Sequence, residues 1–184
     1  MSEHTDRPAG HHLPGDQAGG SAPGGEGPEA DSESVARKIL LDALTGQPRT
    51  RRELADRLAK KNVPTDVGER LLDRFAEVGL VDDAEFARAW VQSRQSGRGL
   101  ARRALAQELR RKGIDDETAK AALDNVGPED EVAAARILVR RKLRTVSTLP
   151  ADTATRRLVG LLARKGYPPG VAFRVVREEL ESLG

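Results

Sequence analysis

The 184-residue chain contains no cysteine. That excludes disulfides, thiolate nucleophiles and sulfur-ligated metal sites, and it fits a reducing cytoplasm. Histidine is confined to His4, His11 and His12. His11-His12 alone offers too few ligands to hold a metal ion. No His-based triad is expected beyond that point. Aromatic residues make up only 3% of the chain. The core must therefore be built from Leu, Ala, Val and Ile, and base stacking in the manner of single-strand binders is not expected. No apolar run approaches the ~18 residues of a membrane helix, and no basic-then-apolar leader opens the chain. No GxxxxGK[ST] phosphate cradle occurs, and Gly97–Gly99 is too short to mean a nucleotide fold. These absences read as a soluble, cytoplasmic, non-enzymatic protein with no catalytic residues, no metal and no cofactor.

What is abundant is charge, 33% of residues, with a formal net charge of +2. The balance is uneven. Residues 1–34 hold seven of the 29 acids and one base, Arg7, which leaves the tail at −6 and the rest of the chain at +8. A basic body behind an acidic tail suggests a polyanionic or acid-faced partner. Residues 1–33 are rich in Gly, Pro, Ser and acids, and cannot bury enough surface to offset ordering entropy, so they are expected to be disordered.

From Val35 onward apolar residues recur at three- and four-residue steps, which predicts helices throughout. Gly and Pro divide the chain into about nine segments. Three of them are copies: LADRLAKKN, LAQELRRKG and LVGLLARKG place Leu54, Leu105 and Leu158 in register, then Asn62, Gly113 and Gly166 at the turn. Each turn residue tolerates positive φ. The expected fold is all-α: an elongated, curved tandem array of three three-helix, helix-turn-helix-like repeats at 34–81, 82–127 and 128–184.

The second helix of each repeat is basic. Residues 49–61 carry six bases against Glu53 and Asp56; residues 100–112 carry Arg102, Arg103, Arg110, Arg111 and Lys112 against Glu108; residues 151–165 carry Arg156, Arg157, Arg164 and Lys165 against Asp152. The third helices are acidic. Stacking the repeats would draw a basic stripe along one side. Arg136, Arg140, Arg141, Lys142 and Arg144 add the densest basic run, and Arg94 and Arg98 precede and occupy the Gly97-Arg98-Gly99 turn. A solvated helix face is the bland reading of any one of these bases; the recurrence is harder to dismiss.

One stretch, GLVDDAEFARAWVQSR from Gly79 to Arg94, organises the rest. Gly79 reads as the left-handed residue closing one helix, and Asp82 or Asp83 as the cap of the next. Asp82 with Glu85 approximates a capping box. Phe86, Ala87, Trp90 and Val91 form one apolar face, with Arg88 and Arg94 toward solvent. With the later Arg111-Lys112-Gly113-Ile114, this pattern resembles the RecX family of regulatory proteins over residues 35–180. The resemblance implies a monomer that binds the RecA recombinase and its filament on single-stranded DNA. It would modulate filament extension, ATPase and strand exchange in recombination, DNA repair and the SOS response, with weak DNA contact through phosphates and no membrane association. Two other readings stay open: a helix-turn-helix or winged-helix DNA binder, and a helical scaffold for another acidic partner. The candidate recognition helix over 65–78 has a net charge of −2, a poor fit to phosphates.

Overall fold

The computed structural model describes residues 28–182. The expected disorder of residues 1–27 and the three histidines lie outside the described residues. Within them the chain forms nine helices: α1 (Pro28–Gly46), α2 (Arg51–Ala59), α3 (Thr65–Glu77), α4 (Asp83–Arg98), α5 (Arg102–Arg111), α6 (Asp116–Leu123), α7 (Pro128–Val146), α8 (Ala151–Arg164) and α9 (Pro169–Glu181). The first helix begins six residues before the 34 expected. Residues 28–33 belong to the stretch expected to be disordered and are helical instead; Glu33 pairs with Arg37 one turn on at 2.6 Å, which favours carrying the helix back.

The helices group in threes, and every substantial helix–helix contact falls within a group. Each unit has its own core. Leu40, Leu54, Leu58, Leu72 and Phe75 fill the first. Phe86, Leu105, Leu109, Ile114 and Leu123 fill the second. Val139, Leu158, Leu162, Tyr167 and Val176 fill the third, joined by Ala101 from the linker of the second. Separate cores in chain order make a tandem array of three-helix units.

Local chemistry explains the repeated turn. The second helix of each unit ends with one 6→1 bond: Val63 N–H donates to Leu58 O (3.2 Å), Ile114 to Leu109 O (3.1 Å) and Tyr167 to Leu162 O (3.1 Å). That closure needs a left-handed residue, and Asn62, Gly113 and Gly166 supply φ of 57°, 83° and 90°. The Gly97-Arg98-Gly99 turn expected from sequence is not formed. Helix α4 runs through Gly97 to Arg98 and stops only at Gly99, the one of the pair at positive φ.

Candidate functional site

The basic second helices meet end to end. At the first junction the Thr50 hydroxyl, fully buried, donates to Lys112 O at 2.7 Å, tying the start of α2 to the end of α5. At the second, Ala101 N–H donates to Lys165 O at 3.0 Å, tying the start of α5 to the end of α8. Each join brings orphan carbonyls at one helix C-terminus to the N-terminal edge of the next. The three helices thus form one head-to-tail column: α8, α5, α2.

Carboxylates from the next unit staple each junction. Asp83, the first residue of α4, accepts from Arg51 N–H at 2.9 Å, and Glu131 of α7 accepts from Arg102 N–H at 2.7 Å. Burial raises the Asp83 carboxyl above its usual range, with the Arg51 N–H pulling the other way. The helix cap is Asp82, which accepts from Glu85 N–H at 2.8 Å. Asp115 caps α6 in the same way, and its hydrogen bonds from Thr118 lower its pKa.

The turn glycines belong to this junction too. A Cβ at Gly113 would lie 2.5 Å from Arg52 Cβ, and one at Gly166 would lie 2.9 Å from the Ala104 backbone N. Asn62 is exposed in the leading unit. Its φ of 57° is one that Asn tolerates.

The residues of the Gly79–Arg94 stretch are structural. Gly79 (φ 74°) follows the end of α3. Phe86, Ala87 and Val91 are buried in the second core, and Trp90 is half-buried at its edge. The Trp90 indole stacks on Phe86 at 5.5 Å and donates to Glu108 at 2.9 Å. Arg94 does not point to solvent as expected; its guanidinium lies 4.0 Å from the Trp90 ring, with Lys112 Nζ 4.6 Å away. An aromatic face attracts cations once both are partly desolvated.

The fourteen candidate bases fall into two groups. Six are engaged. Besides Arg94, Lys112 Nζ pairs with Glu53 at 2.6 Å across the first junction. Arg102 clamps the end of α6, donating to Leu123 O (2.6 Å), Val126 O (2.8 Å) and Asp124 (3.2 Å). Arg110 pairs with Asp116. Arg140 makes a two-pronged bond to the buried Glu179 (2.7 and 3.0 Å), and Arg136 holds Glu178 at 2.6 Å. The Glu179 bond raises the pKa of Arg140, and Arg136 lowers that of Glu178. The other eight, Arg98, Arg103, Arg111, Arg141, Lys142, Arg144, Arg156 and Arg157, are exposed and form no ion pair among the described residues. They lie on α5, α7, α8 and the end of α4.

Sequence reasoning missed Thr50, Asp83 as a staple, and Glu131. A signal existed for the first: Thr50-Arg51-Arg52-Glu53 is a capping box, and both of its bonds form (3.2 and 3.3 Å). Nothing local marks the other two, because each serves a helix about 30 residues earlier in the chain.

Comparison with known proteins supplies an identity. Models of the first, second and third three-helix domains of RecX match residues 36–75, 82–123 and 129–176. The chain is 54% identical over 162 residues to the regulatory protein RecX of Thermobifida fusca (strain YX), covering 88% of each. It is 52% identical over 157 residues to that of Streptomyces coelicolor (strain ATCC BAA-471 / A3(2) / M145), covering 85% of this chain and 84% of the relative. The crystal structure of RecX from Lactobacillus salivarius superposes with a TM-score of 0.74 at 22% identity, over 81% of this chain and 97% of that one. A second crystal structure, of regulatory protein RecX, gives 0.72 at 24% identity, over 82% and 73%. These two likenesses show the fold. Three domain matches in chain order, and relatives above half identity over most of the length, place the chain in the RecX family of regulatory proteins.

Proposed function

We propose that this protein regulates the RecA recombinase by lying along its filament on single-stranded DNA, where it limits filament extension, ATPase and strand exchange. The observation that carries the reading is the exposed, unpaired set on and beside the helical column, in a chain of a regulatory family. Four of these cations, Arg103, Arg111, Arg156 and Arg157, lie on two successive helices of the column, so an extended, repeating, acid-faced partner would be contacted at several points at once. Each exposed contact contributes little by itself, and multiplicity supplies the affinity. The protein acts as a cytoplasmic monomer and touches DNA only through phosphates. Among the described residues, no helix is long and apolar enough to cross a membrane.

The winged-helix alternative loses ground to the geometry. After Val81 the chain enters α4 directly, and no strand exists among the described residues to form a wing. The deciding experiment is the DNA-dependent ATPase and strand exchange of RecA with and without this protein. Inhibition at stoichiometric levels is expected; no effect there contradicts the proposal. A salt titration of direct DNA binding should show weak affinity that falls steeply, the mark of phosphate contacts.

A further inference from the structure

Three copies of one module let each position be compared with its counterparts. A groove of about 590 Å³ runs between the end of α7 and α8 in the third unit. Its rim carries Lys142, Arg156, Arg157 and Arg164, none in an ion pair among the described residues. Its floor is apolar, with Val146, Leu158 and Leu161, and Gly160 leaves it open. Register with the other units shows that this chemistry is particular to the third. Arg157, Gly160 and Leu161 stand where the first unit has Glu53, Asp56 and Arg57, and where the second has Ala104, Gln107 and Glu108. Every acid has gone and an apolar floor has come in. The place is also open among the described residues: Glu53 pairs with Lys112 of the following unit and Ala104 abuts Gly166 of the following unit, whereas Arg157 meets no acid there.

We propose that this groove docks an acidic amphipathic helix of a protein partner. An apolar floor needs apolar side chains to cover it, and cationic rims need carboxylates. Arg157 and Arg164 are seven residues apart on α8, roughly 10 Å along the axis, which matches acids two turns apart on an incoming helix. The protein's own acidic tail does not fit, because residues 1–27 hold only Met1 and Leu13 as large apolar side chains. A nucleic-acid strand does not fit either. No aromatic residue lines the groove to stack a base, and a phosphodiester would leave the floor uncovered. The inference does not rest on the RecA reading.

The test uses the full chain and three fluorescent ligands: a designed helix with Leu on one face and Glu flanking it, a scrambled peptide of the same composition, and an oligothymidylate. Anisotropy should show the amphipathic peptide binding at least about tenfold tighter than its scramble. Gly160→Leu fills the floor, and a Cβ there meets only the Arg164 Nη1 at 3.4 Å, so the fold accommodates it. That variant should lose about tenfold for the amphipathic peptide while its circular dichroism and its oligothymidylate affinity are unchanged. Arg157→Glu with Arg164→Glu should weaken the peptide by a similar factor. Equal binding of peptide and scramble overturns the proposal. So does peptide affinity indifferent to Gly160→Leu, or a groove whose variants alter only oligothymidylate binding.

Discussion

Substituting the turn glycines one at a time separates backbone conformation from contact between units. Gly79 and Gly113 both hold positive φ, 74° and 83°. Alanine at either pays about 1–2 kcal/mol for the left-handed backbone. It recovers a few tenths to about 1 kcal/mol from a less mobile unfolded chain. At Gly79 nothing else lies within 4 Å of the added methyl. At Gly113 the methyl would lie 2.5 Å from Arg52 Cβ, an atom fixed by the α2 backbone, so two units must part. Overpacking of that kind costs a further ~1–3 kcal/mol. The difference between the two variants therefore isolates the junction. Urea unfolding followed by Trp90 fluorescence reads it well, since Trp90 is the only tryptophan and lies beside Lys112 at that junction. Gly113→Ala should have a midpoint lower than that of Gly79→Ala by roughly 1 M, for a slope of about 1–3 kcal/mol per molar urea. Asn62→Gly should be nearly neutral. Equal midpoints for the two alanine variants would refute the end-to-end column.

Arg102→Ala should cost about 1–3 kcal/mol by taking the guanidinium donor from the Val126 carbonyl and leaving Leu123 O with only the Val126 N–H, whereas Arg103→Ala next to it should leave thermal unfolding within about 0.5 kcal/mol of wild type. Thr50→Val removes a cap and the hydroxyl bond to Lys112, and should cost about 1–3 kcal/mol by urea titration. Tyr167, the only tyrosine, is buried and donates to Gly99 O, and burial pushes its pKa up to about 12. Tyrosinate absorbance should therefore rise near pH 12 in the folded protein and near 10 in urea. Because the folded value is the higher one, this contribution to stability is intact below about pH 10 and disappears as pH climbs toward 12. A folded midpoint near 10 would mean the phenol is not shielded.

The three-unit architecture was visible in sequence because leucine spacing and turn residues recur in register, and both follow from helix geometry alone. A cap at Asp82 or Asp83 was visible for the same reason, since a cap acts within one turn, and the structure selects Asp82. The division of the arginines was not. Arg102 and Arg103 look alike in any charge count, yet one reaches carbonyls 21 and 24 residues away while the other faces solvent. Arg140 and Arg141 differ likewise, because Glu179 is 39 residues distant. Long-range pairing depends on how units stack, which local periodicity does not encode. Arg94 turned inward because an indole face beside it holds a guanidinium better than water does.

The most direct measurement of the central claim compares two charge reversals of equal size in the RecA ATPase assay. Arg103→Glu with Arg111→Glu alters the basic column; Arg74→Glu with Lys120→Glu alters the acidic third helices, where both side chains are also exposed. The column pair should weaken inhibition by about tenfold or more, with circular dichroism unchanged and the third-helix pair inhibiting as wild type does. Equal loss in both would mean that net charge alone drives the interaction, and the column would have no part in it.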